Sequence, residues 1–245
     1  MQAQVISNYG AAISITNGTV VVSHHLTNTS GINLASLSNF GTLNLSGNFI
    51  NGISSTISGN GIFYIGGNWS NSGSFLYGSS TVIFNGSINQ RILRPLPSPE
   101  NFNNLTIENT ADSITLGNSV QVIGMLSMYS GNIVTDSHIL HLLNPTVASL
   151  NYKSGKIFGL FERAIGETGR FLFPLGNLSR PMYYNPATLV INGLTNAGSV
   201  LSEFITPLAP VNIIPPLEDF SATPFVEVDS AFSAGYWSMT AKNGF

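Results

Sequence analysis

The sequence predicts an all-β chain: a right-handed parallel β-solenoid over residues 1–150, then an antiparallel β-sandwich-like module over residues 151–245. Three observations carry this reading. Short apolar runs alternate with period two between Gly, Asn and Ser. A motif recurs at a spacing near twenty residues. And the first 90 residues contain no Asp, Glu, Lys or Arg, the first charge being Arg91.

The alternating runs come first. Val20-Val22, Leu43-Leu45, Phe63-Ile65 and Val82-Phe84 each place apolar side chains two apart, with turn residues after them. That is the pattern of short strands buried on one face. Residues 41–60 and 61–80 align without gaps. Gly41/Gly61, Gly47/Gly67, Asn48/Asn68, Asn51/Asn71 and Ser54/Ser74 are identical, and Leu43/Phe63, Leu45/Ile65 and Phe49/Trp69 are apolar in both. Further copies begin at Thr81 and, more loosely, at Gly18. A period near twenty is one turn of a β-solenoid, which buries its inward side chains only by stacking on its neighbours. Asn columns in such a stack form hydrogen-bonded ladders. Charge columns are disfavoured, because like charges would stand about 4.8 Å apart. After the break Pro95-Leu-Pro97-Ser-Pro99 the pattern resumes, from Leu105-Thr-Ile107 to Ile139–Leu143.

From about residue 151 the texture changes. Ile157–Ile165, Phe171–Leu175, Met182–Tyr184, Thr188–Asn192, Val200–Ile205, Val226–Val228 and Tyr236–Thr240 read as longer strands separated by Gly, Asn and Pro turns. Such spacing suggests an antiparallel sandwich. The chain ends soon after a strand, so the sandwich reads as incomplete, or the chain as a fragment of a longer protein.

Composition excludes several functions. Eight Lys+Arg and a net charge of −3 leave no basic patch for nucleic acid. The lack of Cys removes disulfides, thiolate metal sites and cysteine nucleophiles. Calcium sites and glycoside hydrolysis need carboxylates that residues 1–90 do not supply. No apolar run is long enough to span a membrane as a helix. Neither a cofactor nor a metal is expected.

The individual candidates are few. His24 and His25 are adjacent on a strand and are expected to face opposite sides. Asp136, His138 and His141 form a looser group without a further ligand nearby. Glu162-Arg163 and Glu167-Arg170 are expected to brace a hairpin through cross-strand ion pairs. Tyr64, Trp69, Phe75, Tyr77 and Phe84 offer an aromatic strip of the kind that grips sugar rings. Core stacking explains Phe63, Trp69, Phe75 and Phe84 equally well. Tyr64 and Tyr77 are therefore the better binding candidates.

The run GNWSNSGSFLYGSSTVIFNGSINQRI from Gly67, with FNNLTIENTADSITLGNSVQVIGMLSMYSGNI from Phe102, resembles repeat regions of large Bacteroidetes surface proteins. FERAIGETGRFLFPLGNLSRPMYYNPATLVI from Phe161 and the later GYWSM resemble the domain that follows such repeats. The resemblance implies an exported protein carried by the type IX secretion system, its leader removed, displayed on the cell surface or released, and adhesive in character. It also implies O-glycosylation at Asp-Ser-X sites, here Ser113 and Ser230. The function expected is a non-catalytic spacer, display or adhesion module contacting glycans. The alternatives are a polysaccharide-active β-helix lyase or hydrolase and a carbohydrate-binding module.

Overall fold

The computed structural model describes residues 4–178, 184–206 and 235–243, the side chain of Asp112 aside. Within them the chain winds into a parallel β-solenoid of about eight turns. Each turn contributes strands to three faces. The first face stacks Val20–Ser23, Thr42–Leu45, Ile62–Ile65, Thr81–Phe84, the start of Asn104–Leu116, the start of Leu126–Leu142 and Leu150–Tyr152. The second runs from Val5–Tyr9 through His25–Thr29, Phe49–Asn51, Trp69–Asn71 and Gln90–Leu93 into the later parts of the two long strands. The third begins with Ala12–Ile15, Ser36–Asn39, Thr56–Ser58 and Ser74–Leu76. It restarts with Glu100–Phe102 and continues through Val120–Val122 into Leu126–Leu142 and Ile157–Ile165.

The period-two runs sit where the pattern placed them. On the first face Leu43, Phe63, Val82, Leu105 and Leu126 are in register and buried, forming one apolar column. On the second, Leu26, Phe49, Trp69, Ile92 and Leu116 do the same. Phe49 and Trp69 lie flat on one another, with ring centres 3.8 Å apart and planes within 4°. Phe63, Phe75 and Phe102 meet Trp69 edge-on. The corners between faces demand close backbone approach. Gly59 has φ +116°, and a Cβ there would stand 2.0 Å from the Asn39 carbonyl oxygen. No other residue satisfies both conditions.

Parallel pairing continues past residue 150, through Leu150–Tyr152 and Ile157–Ile165. Only then does antiparallel pairing begin. Gly198–Ile205 pairs antiparallel with Ile157–Ile165, and Tyr236–Lys242 with Gly198–Ile205, so both extend the solenoid's own sheet. Gly169–Phe173 and Ala187–Ile191 form a separate antiparallel pair. Phe161, Ile165, Phe171, Phe173 and Leu175 are fully buried and close the core at this end. The strands expected at Met182–Tyr184, its last residue aside, and at Val226–Val228 lie outside the described residues.

A buried Asn column accompanies the apolar ones. Asn8, Asn28, Asn51 and Asn71 are in register on successive turns and are at most 2% exposed. Each Nδ2 donates to the next Oδ1, at 2.8, 2.9 and 2.9 Å. The same Nδ2 atoms donate to backbone carbonyls near the following corner: Ser36 O from Asn8, Thr56 O from Asn28 and Ser74 O from Asn51. The column thus fastens turn to turn and face to face. Replacing Asn51 strips partners from both neighbours and from Ser74 O, and a buried polar group left unpaired costs about 1–3 kcal/mol. We expect Asn51→Ala to lower unfolding stability by about 2 kcal/mol in urea titration, while Ser58→Ala, on the outer wall, shifts it by less than about 0.5 kcal/mol.

Candidate functional site

The Asn column ends on an acid. Asn71 Nδ2 donates to both carboxylate oxygens of Glu100, at 2.9 and 3.0 Å. Trp69 Nε1 donates to Oε1 at 3.1 Å, and Arg94 Nη1 donates to Oε2 at 3.3 Å. Glu100 is 1% exposed. Burial pushes its carboxyl up from 4.5 to about 7, against the pull of Asn71, Arg94 and Trp69. The proline-rich break explains why this acid is admitted. Among the described strands, Ser74–Leu76 pairs with Thr56–Ser58 but not with Glu100–Phe102, so the third face is interrupted here. A cleft of about 230 Å³ opens at the gap, lined by Asn71, Ser74, Arg94, Ser98, Glu100 and Asn101 among others. Arg94 Nη1 also donates to Gly73 O at 3.2 Å, tying the loop across the gap. Asn101 Oδ1 is buried in this region without a partner. Chemically, Glu100 terminates a chain of donors: every partner offers a hydrogen, and the carboxylate accepts them all.

The expected aromatic strip does not form. Trp69, Phe75 and Phe84 point inward and are buried, because they occupy the inward positions of the period-two pattern. Tyr64 points outward on the first face, in register with Asn44 and Ile83, and is half-buried. Tyr77 lies in the turn after Ser74–Leu76 and packs partly against the core. The two tyrosines therefore belong to different surfaces. Around them the wall mixes hydroxyls and amides with the exposed apolar side chains of Ile62 and Leu76. On the third face Ser36, Ser38, Thr56 and Ser58 stand in outward register, and the Ser38 and Ser58 hydroxyls lie 3.0 Å apart.

Other expectations change. His24 falls at the bend between Val20–Ser23 and His25–Thr29, so it does not alternate with His25. The two rings lie side by side, 3.9 Å between centres. His25 Nδ1 accepts the Asn48 N–H at 2.7 Å, and His24 Nδ1 meets Ser46 Oγ at 2.9 Å. Burial and the neighbouring His24 hold His25 below the usual histidine range. The ring fits only because residue 47 is glycine: a Cβ there would lie 2.4 Å from it.

The hairpin ion pairs are replaced by other contacts. Glu162 faces His141 at 3.1 Å and accepts the Ser199 hydroxyl at 2.6 Å. Burial holds His141 below its usual range despite that carboxylate. Arg163 continues the inward column of Phe102, Val122 and Leu142 and is 1% exposed. Its guanidinium donates to Leu172 O at 2.9 Å and Val147 O at 2.7 Å, and lies 4.9 Å over the Phe171 ring. Burial lowers its pKa to about 10. Glu167 accepts the Val147 N–H instead of pairing with Arg170. Asp136, at φ +51°, lines a cleft of about 310 Å³ with Glu203, Phe158 and Asn177. Neither His138 nor His141 lines that cleft. No cluster of three His, Cys, Asp or Glu able to hold a metal occurs among the described residues. Ser113 is 8% exposed on its strand, and Ser230 lies outside the described residues.

Glu100 escaped the sequence reading because it follows the proline-rich break, where the repeat loses register. Its signal was the run of Asn28, Asn51 and Asn71, which needs an acceptor after its last amide. No family model matches the chain, and no curated protein or solved structure shows significant similarity to it.

The pH dependence of stability follows from Glu100. The folded carboxyl binds a proton below about 7, whereas the unfolded chain does so only below about 4.5. Folding is therefore favoured progressively as pH falls through that window, and Glu100 contributes on the order of 3 kcal/mol less at neutral pH than at its lower edge. Glu100 by itself should raise the melting temperature on acidification from above 7 toward 4.5, while His25 and His141, held below their usual range, pull the other way. Glu100→Gln should flatten that slope.

Proposed function

We propose that this chain is a non-catalytic spacer or display module of an exported surface protein, whose uncharged solenoid wall contacts neutral glycans. The observation that supports this most is the wall itself. Outward positions carry Thr42, Asn44, Ser36, Ser38, Thr56 and Ser58 in rows, on turns held in register by a buried ladder. Residues 1–90 add no charge to it. Hydroxyls and amides at fixed spacing offer hydrogen bonds to sugar hydroxyls, and the exposed part of Tyr64 offers an apolar ring face beside them. A stiff rod of stacked turns is suited to holding such a surface away from its anchor. We take the winding as right-handed, as parallel crossovers are in nearly all cases, and the strands after residue 165 as belonging to a sandwich-like module. Export by the type IX route rests on the sequence resemblance.

A second reading has one observation in its favour. Asp136 and Glu203 line the same cleft beside the final turn, where a polysaccharide-active enzyme would need its acid pair.

A panel of neutral and acidic glycans separates the two. The spacer reading expects binding without turnover, weakened about tenfold by Tyr64→Ala. Release of reducing ends or unsaturated products, abolished by Asp136→Asn, would replace it with the enzyme reading.

A further inference from the structure

Where the chain enters the second face, successive turns are linked by a second column of side chains. Leu26, Phe49, Trp69 and Ile92 are in register, so His25, Asn48, Asn68 and Arg91 share the position just before them. Each link in this column joins a side-chain acceptor to the backbone N–H of the same position one turn on. Asn68 N–H donates to Asn48 Oδ1 at 2.8 Å, and Arg91 N–H donates to Asn68 Oδ1 at 2.8 Å.

The first link differs. Position 25 is His, and its Nδ1 takes the place of the Asn oxygen, accepting the Asn48 N–H at 2.7 Å. The seating is the same in both cases. A Cβ on Gly67 would stand 2.4 Å from Asn48 Oδ1, and a Cβ on Gly47 would stand 2.4 Å from His25 Nδ1. The imidazole thus lies as close against the following turn as the amide does.

An amide oxygen accepts at any ordinary pH. An imidazole nitrogen accepts only while it carries no proton. With Nδ1 accepting, the neutral ring keeps its proton on Nε2. A second proton would put an N–H on Nδ1, aimed at the Asn48 N–H.

The surroundings offer that charge no partner. Residues 1–90 hold no Asp, Glu, Lys or Arg. The strand before, Val5–Tyr9, places Val5 opposite His25, and its one titratable group, Tyr9, lies opposite Thr29 at the far end. The corner that follows, Ser46 to Asn48, and the strand Phe49–Asn51 contain no titratable side chain. Arg91 shares the column but stands three turns away, about 14 Å at the spacing of paired strands. The remaining neighbour is His24, its ring centre 3.9 Å from that of His25 and its Nδ1 on Ser46 Oγ. A protonated His24 repels a protonated His25.

We propose that His25 is an acid-sensitive latch between the second and third turns: protonation of its ring releases the Asn48 N–H and opens this corner, while the links made by Asn48 and Asn68 stay closed. The rod is fastened here at neutral pH and loosened at this seam in acid. The sign is opposite to that of Glu100. Burial and His24 make the folded ring hold a proton less readily than the unfolded chain does, so the latch contributes its full stability above 6.5 and loses it as pH falls through the folded ring's own lower value. The latch needs no ligand, so it stands or falls apart from the glycan reading.

Residue-resolved amide exchange, followed alongside the NMR titration of the His25 ring, tests it. Protection of the Asn48 amide, corrected for the intrinsic rate, should fall about tenfold as the ring gains its proton. Protection of the Asn68 amide, the same link with an Asn acceptor, should not change. His25→Asn installs the residue that the column carries at its next two positions and should make Asn48 protection independent of pH over that range. Asn48 protection that survives full protonation of His25 overturns the proposal, as does an equal acid loss in His25→Asn. Equal losses at Asn48 and Asn68 would mean a general loosening and also overturn it. The comparison of Asn48 with Asn68 is made within the wild-type chain, so it decides even if the variant does not fold.

Discussion

An amide buried inside a stack of β-turns must find a partner for its donor and its acceptor, and the nearest candidate is the same amide one turn away. That constraint runs through this molecule. Asn8, Asn28, Asn51 and Asn71 hold one another in line, and the first three also reach a carbonyl near the next corner. Slipping one turn by a single residue would turn its Asn outward and leave two neighbours unpaired. The apolar columns add most of the burial but are more tolerant, since Leu, Phe, Val and Trp succeed one another in the same position. Burial holds the stack together, and the amides set its register.

A directional chain of donors has to stop somewhere, and Glu100 stops it. Among the described residues, the carboxylate is the one acidic group brought into the core alongside the ladder, and it lies where the third face loses a pairing. Arg94 reaches in from the loop that bridges the gap. Burial opposes the charge and the donors favour it, and burial prevails. The result is an acid that titrates near neutrality within a structure otherwise poor in charge. At the far end a second charged group plays a comparable part. Arg163 takes the place of an apolar side chain in its column and uses its several donors to hold the carbonyls of Val147 and Leu172. Among the described residues the two fully buried charges sit where the repeat is interrupted, at Glu100, and where it gives way to antiparallel pairing, at Arg163.

Much of the solenoid was legible from local pattern. Period-two runs placed the strands of the first face, and the matched Gly and Asn positions of residues 41–80 located the turns. The later half was less so. The composition changes near residue 151, yet parallel pairing persists through Ile157–Ile165, because pairing partners depend on the strand before and not on charge content. The candidate residues fared by the same logic. Trp69, Phe75 and Phe84 had inward parity and proved to be core. His24 and His25 look alternate in sequence, but a bend falls between them and sets their rings together.

The sequence by itself determined the class of fold, the repeat, and the uncharged character of the first 90 residues, since these follow from composition and from periodicity along the chain. Only the tertiary structure decided which side chains meet across turns. Glu100 is separated from Asn71 and Trp69 by about thirty residues, and His25 from the Asn48 N–H that it accepts by 23. The physical reason is the same in both cases. In a solenoid every stabilising contact is made one turn away, so the length of each loop, which the local pattern leaves free, selects the residue that arrives there.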